Sequence, residues 1–178
     1  MPARGMNSLV ESAGVLQKNA LPPMLFVARA VLASSVVYAP LLALLLLAYA
    51  PLHGFAPALT ALPLLVLTQV LLCLLWGAAL AIVAAALRDV LQLVAFVLSL
   101  GVFLSPVLFP LHMFPEAGRW LLWLNPMTGW VLGYQATLLQ GAWPSMDSWL
   151  AMCAWLVAGG LVLELLLRRS RDQLVDWL

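Results

Sequence analysis

Hydrophobic and polar positions are segregated along this chain rather than interleaved. No Asp, Glu, Lys or Arg stands between Arg29 and Arg88, between Asp89 and Glu116, between Arg119 and Asp147, or between Asp147 and Glu164. Apolar runs of about 20 residues match the hydrocarbon thickness of a bilayer at a helical rise of about 1.5 Å per residue. The pattern predicts an all-α, polytopic transmembrane fold with four spanning helices, at 24–50, 59–87, 90–111 and 148–167. Arg29 lies one turn inside the first segment, where its long stem lets the charge snorkel to the interface. Pro40, in the middle of that segment, removes a backbone hydrogen bond and predicts a kink. A loop rich in Pro and Gly follows at 51–57. The second segment is longer than a bilayer needs, which predicts tilt or projection. Arg88-Asp89 then breaks the apolar run as a tight turn at one membrane surface.

The stretch 112–141 has a different pattern. It is apolar at Leu121, Leu122, Leu124, Val131, Leu132, Leu138 and Leu139, but Asn125-Pro126 and Gly129 interrupt it, and neither half is long enough to span. This spacing predicts a re-entrant pair of half-helices, which a bilayer tolerates only where protein or a wet cavity covers the broken backbone. Basic residues bear on the same point. If the stretch does not cross, Arg4, Lys18, Arg29, Arg88, Arg168, Arg169 and Arg171 share one side and only Arg119 lies on the other. That bias predicts cytoplasmic termini, with a coupling segment at 1–22 and a tail at 168–178. Tyr49, Phe55, Trp120, Trp123, Trp143 and Trp149 then collect at the outer interface. The whole chain, 1–178, reads as one membrane domain.

Composition agrees with the pattern. Charged residues make up 8% of the chain and hydrophobic ones 65%, against about 25% charged in a soluble domain. The net charge of +1 and the lack of a basic stripe exclude nucleic acid as a partner. The start of the chain carries Arg4, Glu11 and Lys18 and has no sustained apolar core of a signal peptide. Cys73 and Cys153 match no metal spacing and read as small packing residues. Chemistry is hard to place. There are no paired intramembrane carboxylates, no metal-ligand spacing, no Gly-x-Ser-x-Gly and no phosphate-binding Gly-rich loop. His53 and His112 read as interfacial histidines. The chain is expected to be no enzyme and to bind no cofactor of its own.

What remains are polar residues inside apolar segments. Ser34 and Tyr38 in the first, Thr68, Gln69 and Trp76 in the second and Ser99 and Ser105 in the third admit two readings. One is interhelical hydrogen bonding. The other is a conduit lining for an uncharged or amphiphilic solute, with Ser34, Tyr38, Gln69 and Trp76 as its candidates. Thr68 and Gln69 can share a helix face with Trp76. Arg88 and Asp89 are either a solvated turn or a structural and coupling site, Asp89 standing where an N-cap belongs.

An ordered set of short motifs runs along the chain: Leu16-Gln17-Lys18-Asn19-Ala20-Leu21-Pro22, Leu87-Arg88-Asp89-Val90, Ser105-Pro106-Val107-Leu108-Phe109-Pro110, Leu124-Asn125-Pro126-Met127-Thr128 and Leu138-Leu139-Gln140-Gly141. In this order they resemble the permease subunits of ABC exporters for O-antigen, capsule and polyol-phosphate polymers. The resemblance implies a homodimer of permeases in the bacterial inner membrane. A separate ATP-binding subunit would bind ATP, and a lipid-linked glycan would be the substrate. It makes Leu16 and Lys18 part of a coupling helix that docks on the ATPase. Ser105 and Pro106 become a helix-end motif, and Asn125 and Pro126 the re-entrant motif. Two departures are visible. The family pattern has six spanning helices, so about the first third is expected to be missing. Its exit helix commonly carries Arg after the aromatic, whereas Gln135 follows Tyr134 here. Rival readings are an ABC permease for a drug or lipid, a truncated assembly partner that does not transport, and a membrane enzyme acting on a lipid-linked sugar.

Overall fold

The computed structural model describes residues 23–53, 57–87, 89–103, 105–107, 113–114 and 116–170. Leu16, Lys18 and Arg88 lie outside the described residues. Among the described residues there are helices and turns and no strand. The helices are α1 (Pro23–His53), α2 (Leu62–Ala86), α3 (Val90–Phe103), α4 (Arg119–Trp123), α5 (Thr128–Leu139) and α6 (Met146–Ser170). A 3-10 turn at Pro57–Ala61 leads into α2, and another at Glu116–Gly118 leads into α4. An all-helical answer follows from the solvent, because in lipid each backbone N–H and C=O must find its partner within the chain.

Three stretches are long and apolar enough to cross a membrane: Val27–Ala48 in α1, Ala58–Ala86, which takes in the 3-10 turn and α2, and Met146–Arg169 in α6. Proline placement fits the helix ends. Pro23 opens α1 and Pro63 lies in the first turn of α2, where a missing N–H costs nothing. Helix α1 continues through Pro40 and also through Pro51, so the first loop starts later than the Pro and Gly pattern suggested. At the other end of the chain, α6 carries Asp147 in its first turn and Arg168 and Arg169 in its last, both favourable to the helix dipole. Ser145 caps it: its hydroxyl accepts the Ser148 N–H at 3.3 Å and lies 2.9 Å from the Ser148 hydroxyl.

The third segment departs from expectation. Helix α3 is 14 residues long and ends at Phe103, not at 111. Its length is about 21 Å, short of a hydrocarbon core about 30 Å thick. The cause is Pro106, which disfavours helical backbone at Ser105 before it. The described helices therefore supply three spans by length and composition, plus this shorter apolar helix.

The chain divides into two compact units. The described parts of 23–39, 70–95 and 156–170 make one, and those of 40–69 and 96–155 the other. In the first, Val27 and Val31 of α1 pack on Cys73, Ala78 and Ala81 of α2, with Val70, Leu74 and Leu163 against them. Small residues let these helices approach closely, the usual basis of packing in lipid. At Gly159 of α6 a Cβ atom would lie 2.8 Å from the Trp76 indole nitrogen and 3.3 Å from the Leu75 Cβ. In the second unit, Leu65 of α2, Leu122, Trp130 of α5 and Met152 of α6 are buried.

Candidate functional site

The site is the broken hairpin α4–α5, because a helix interruption inside an apolar protein must account for every backbone group it exposes. Residues 124–127 form the break. Pro126 has no N–H to satisfy. Asn125 does two jobs: its Oδ1 accepts the Met127 N–H at 2.9 Å, and its Nδ2 donates to the Gly101 carbonyl of α3 at 2.6 Å. The Leu122 carbonyl accepts from the Asn125 N–H at 3.1 Å and from the buried Thr128 hydroxyl. The Leu121 carbonyl takes the Leu124 N–H at 3.2 Å, and the Trp123 carbonyl takes the Trp155 indole N–H of α6 at 3.3 Å. Each of the last three carbonyls of α4 thus has a donor.

The body of α5 is fixed as closely. At Gly129 a Cβ would lie 3.0 Å from the Ser148 carbonyl oxygen and 3.2 Å from Met152 Cγ; at Gly133 it would lie 2.9 Å from Leu65 Cδ2. Gly129, expected to interrupt the segment, instead sits inside α5 and lets it touch the start of α6. One helical turn apart, Trp130 and Tyr134 reach adjacent residues of α2. The Trp130 indole donates to the Thr68 hydroxyl at 3.2 Å, and the Tyr134 hydroxyl donates to Gln69 Oε1 at 2.7 Å. Next to Tyr134, the Gln135 amide donates to the Pro106 carbonyl at 2.8 Å. Helix α5 ends at Gly141, whose φ of 63° is the left-handed conformation glycine accepts at no steric cost.

Of the residues singled out by pattern, Ser105, Pro106, Asn125, Pro126 and Gln69 fall in this unit. Asn125 bonds Gly101 of α3, and Pro106, just past the end of α3, is bonded by Gln135 of α5. Ser105 is buried, and its hydroxyl has no hydrogen-bond partner among the described residues. Ser34, Tyr38, Trp76 and Asp89 fall in the other unit. Ser34 is buried and donates to the Ala30 carbonyl of its own helix at 2.8 Å, as Ser35 does to Val31 at 2.9 Å. Tyr38 is exposed, Trp76 half-buried. Asp89 is exposed, and its backbone carbonyl accepts the Gln92 and Leu93 N–H groups at 3.1 and 3.3 Å, opening α3.

Thr128 and Gln135 were named in the motif comparison without a role as fasteners, and Trp130 and Trp155 were not singled out by pattern. The spacing of Gly129, Trp130, Gly133 and Tyr134 was the available signal: two small residues and two aromatic donors, each pair four apart. Among the described residues no group of His, Cys, Asp and Glu could hold a metal ion. The arrangement is a scaffold of hydrogen bonds.

A comparison with curated proteins gave no match. The profile of the family described as ABC-2 type transporter matches residues 3–139. That match takes in α1 to α5, including the break and the end of α3 to which it is bonded. With well over half of its length inside it, this multi-pass membrane chain belongs to the ABC-2 type transporter family and is a permease subunit of an ABC transporter.

Proposed function

We propose that this permease exports a lipid-linked polysaccharide, of the O-antigen or capsule kind, across the bacterial inner membrane. The observation that carries the reading is the ordered motif set, Arg88-Asp89, Ser105-Pro106 and Asn125-Pro126. The last two of these contribute to a single hydrogen-bonded scaffold through Gly101, Asn125, Pro106 and Gln135. A second copy of the chain completes the conduit, and a separate ATP-binding subunit supplies the energy by docking on the segment around Leu16 and Lys18. The turn at Arg88 and Asp89 contributes to coupling. Ser34, Tyr38, Gln69 and Trp76 are the candidate lining. Uncharged hydroxyl, amide and aromatic groups suit a sugar chain that must slide, because aromatic contacts are broad rather than strongly directional.

In this reading α3 makes the fourth crossing despite its length, where the bilayer thins locally, and the half-helices α4 and α5 enter and leave on the outer side, keeping both termini cytoplasmic. With five and twelve residues, neither is long enough to cross.

The test is co-expression with the ATP-binding subunit of a polysaccharide ABC exporter, scored by glycan at the cell surface. Wild type should restore glycan to a strain lacking its own exporter. Asp89→Lys should lower export at equal membrane abundance, while Cys73→Ala should leave it near normal. ATP turnover stimulated by a drug or phospholipid and indifferent to lipid-linked glycan would replace this reading with that of a permease for those substrates.

A further inference from the structure

Helix α3 has no buried residue along its 14 positions, and Leu93, Phe96, Val97, Leu100, Val102 and Phe103 are largely exposed. Side-chain packing therefore does little to fix it. Its attachment at the C-terminal end is different in kind. The Gly101 carbonyl is one of the last four of α3, which lack an intrahelical donor, and the Asn125 amide takes it at 2.6 Å. Just beyond, the Pro106 carbonyl receives the Gln135 amide at 2.8 Å. One amide sits in the α4–α5 break and the other in α5, so the end of α3 is held at two points. Two separated hydrogen bonds restrain rotation as well as translation, which a single bond does not.

We propose that Asn125 and Gln135 form an amide clamp that makes the C-terminal end of α3 and the α4–α5 hairpin one moving part. Any displacement of that end of α3 is then delivered to the hairpin directly. Gln135 and Asn125 are positioning residues, and the clamp is independent of which substrate the permease carries. The bonds of α5 to α2, from Trp130 and Tyr134, hold a different face and do not define the register of α3.

The experiment measures spin-label distances in the full chain, in nanodiscs, with the free cysteines Cys73 and Cys153 replaced by Ala. Labels go at the exposed positions Phe103, ending α3, and Leu139, ending α5. The otherwise native chain should give one narrow distance distribution. Gln135→Met removes the donor at constant length. Asn125→Asp keeps the oxygen that caps Met127 and removes the donor to Gly101. The two together should abolish the narrow peak, while Tyr134→Phe, which removes the hydroxyl bonded to Gln69 of α2, should retain it. A broad or two-peaked distribution in the native chain overturns the clamp whether or not the variants fold. So does a narrow peak surviving in the double variant, or equal broadening by Tyr134→Phe.

Discussion

Asn125 and Ser105 show opposite ends of one rule, that a buried polar group is only as good as its partner. Asn125 uses both ends of its amide, on Met127 and on Gly101. Asn125→Leu leaves a donor and a carbonyl unpaired and is expected to cost about 1–3 kcal/mol. Asn125→Asp, which keeps the cap on Met127, should cost less. Thermal unfolding in detergent, read by loss of the monodisperse size-exclusion peak, ranks the two. Ser105 is buried, and among the described residues its hydroxyl has no partner, so removing it is expected to remove a penalty. Ser105→Ala is expected to leave stability unchanged or raise it by about 1 kcal/mol. A fall of that size in the same assay would mean that the hydroxyl has a partner. The motif position alone gave Ser105 and Asn125 equal weight; only their surroundings separate them.

At the scale of elements, close helix approach of α5 is set by two glycines in two different ways. A Cβ at Gly129 would meet the Ser148 backbone oxygen, which cannot yield without moving the start of α6. At Gly133 the nearest atom is the far end of Leu65, which can turn aside. Gly129→Ala is therefore expected to cost about 1–3 kcal/mol as overpacking. Gly133→Ala should come out near neutral, because alanine regains about 0.5–1 kcal/mol of helix propensity. Unfolding midpoints of the two variants check the order, and equal losses would show that α5 packs equally tightly on α2 and α6. The helices themselves were legible as charge-free runs, and the break at Asn125-Pro126 was legible because proline lacks an N–H. The early end of α3 was also written in the chain, in Ser105-Pro106, but the apolar run to residue 111 masked it. Hydrophobicity reports burial in lipid and does not distinguish helix from turn.

For the whole molecule the open quantity is the path of the chain through the bilayer. Seven of the eight basic residues fall on one side only if α4 and α5 do not cross together. A reporter fused after Leu178 should therefore be active in the cytoplasm, and one inserted at 142–145 should be active outside. A periplasmic C-terminus would show either that 112–141 crosses or that α3 does not, and a reporter placed between α3 and α4 separates the two, being active outside only if α3 crosses. The family match needs no such path, since it rests on residues 3–139 as a pattern.

The sequence by itself determined the solvent, the helical class, the place of the break and the family, because each is a property of neighbours along the chain: length without charge, a missing N–H, an ordered set of short motifs. The tertiary structure alone decided which groups satisfy the break. Asn125 reaches a carbonyl 24 positions away and Trp130 a hydroxyl 62 positions away. No periodicity encodes such a pairing. It exists because packed helices bring unpaired carbonyls and hydroxyls within about 3 Å of donors, in a medium with no water to take their place.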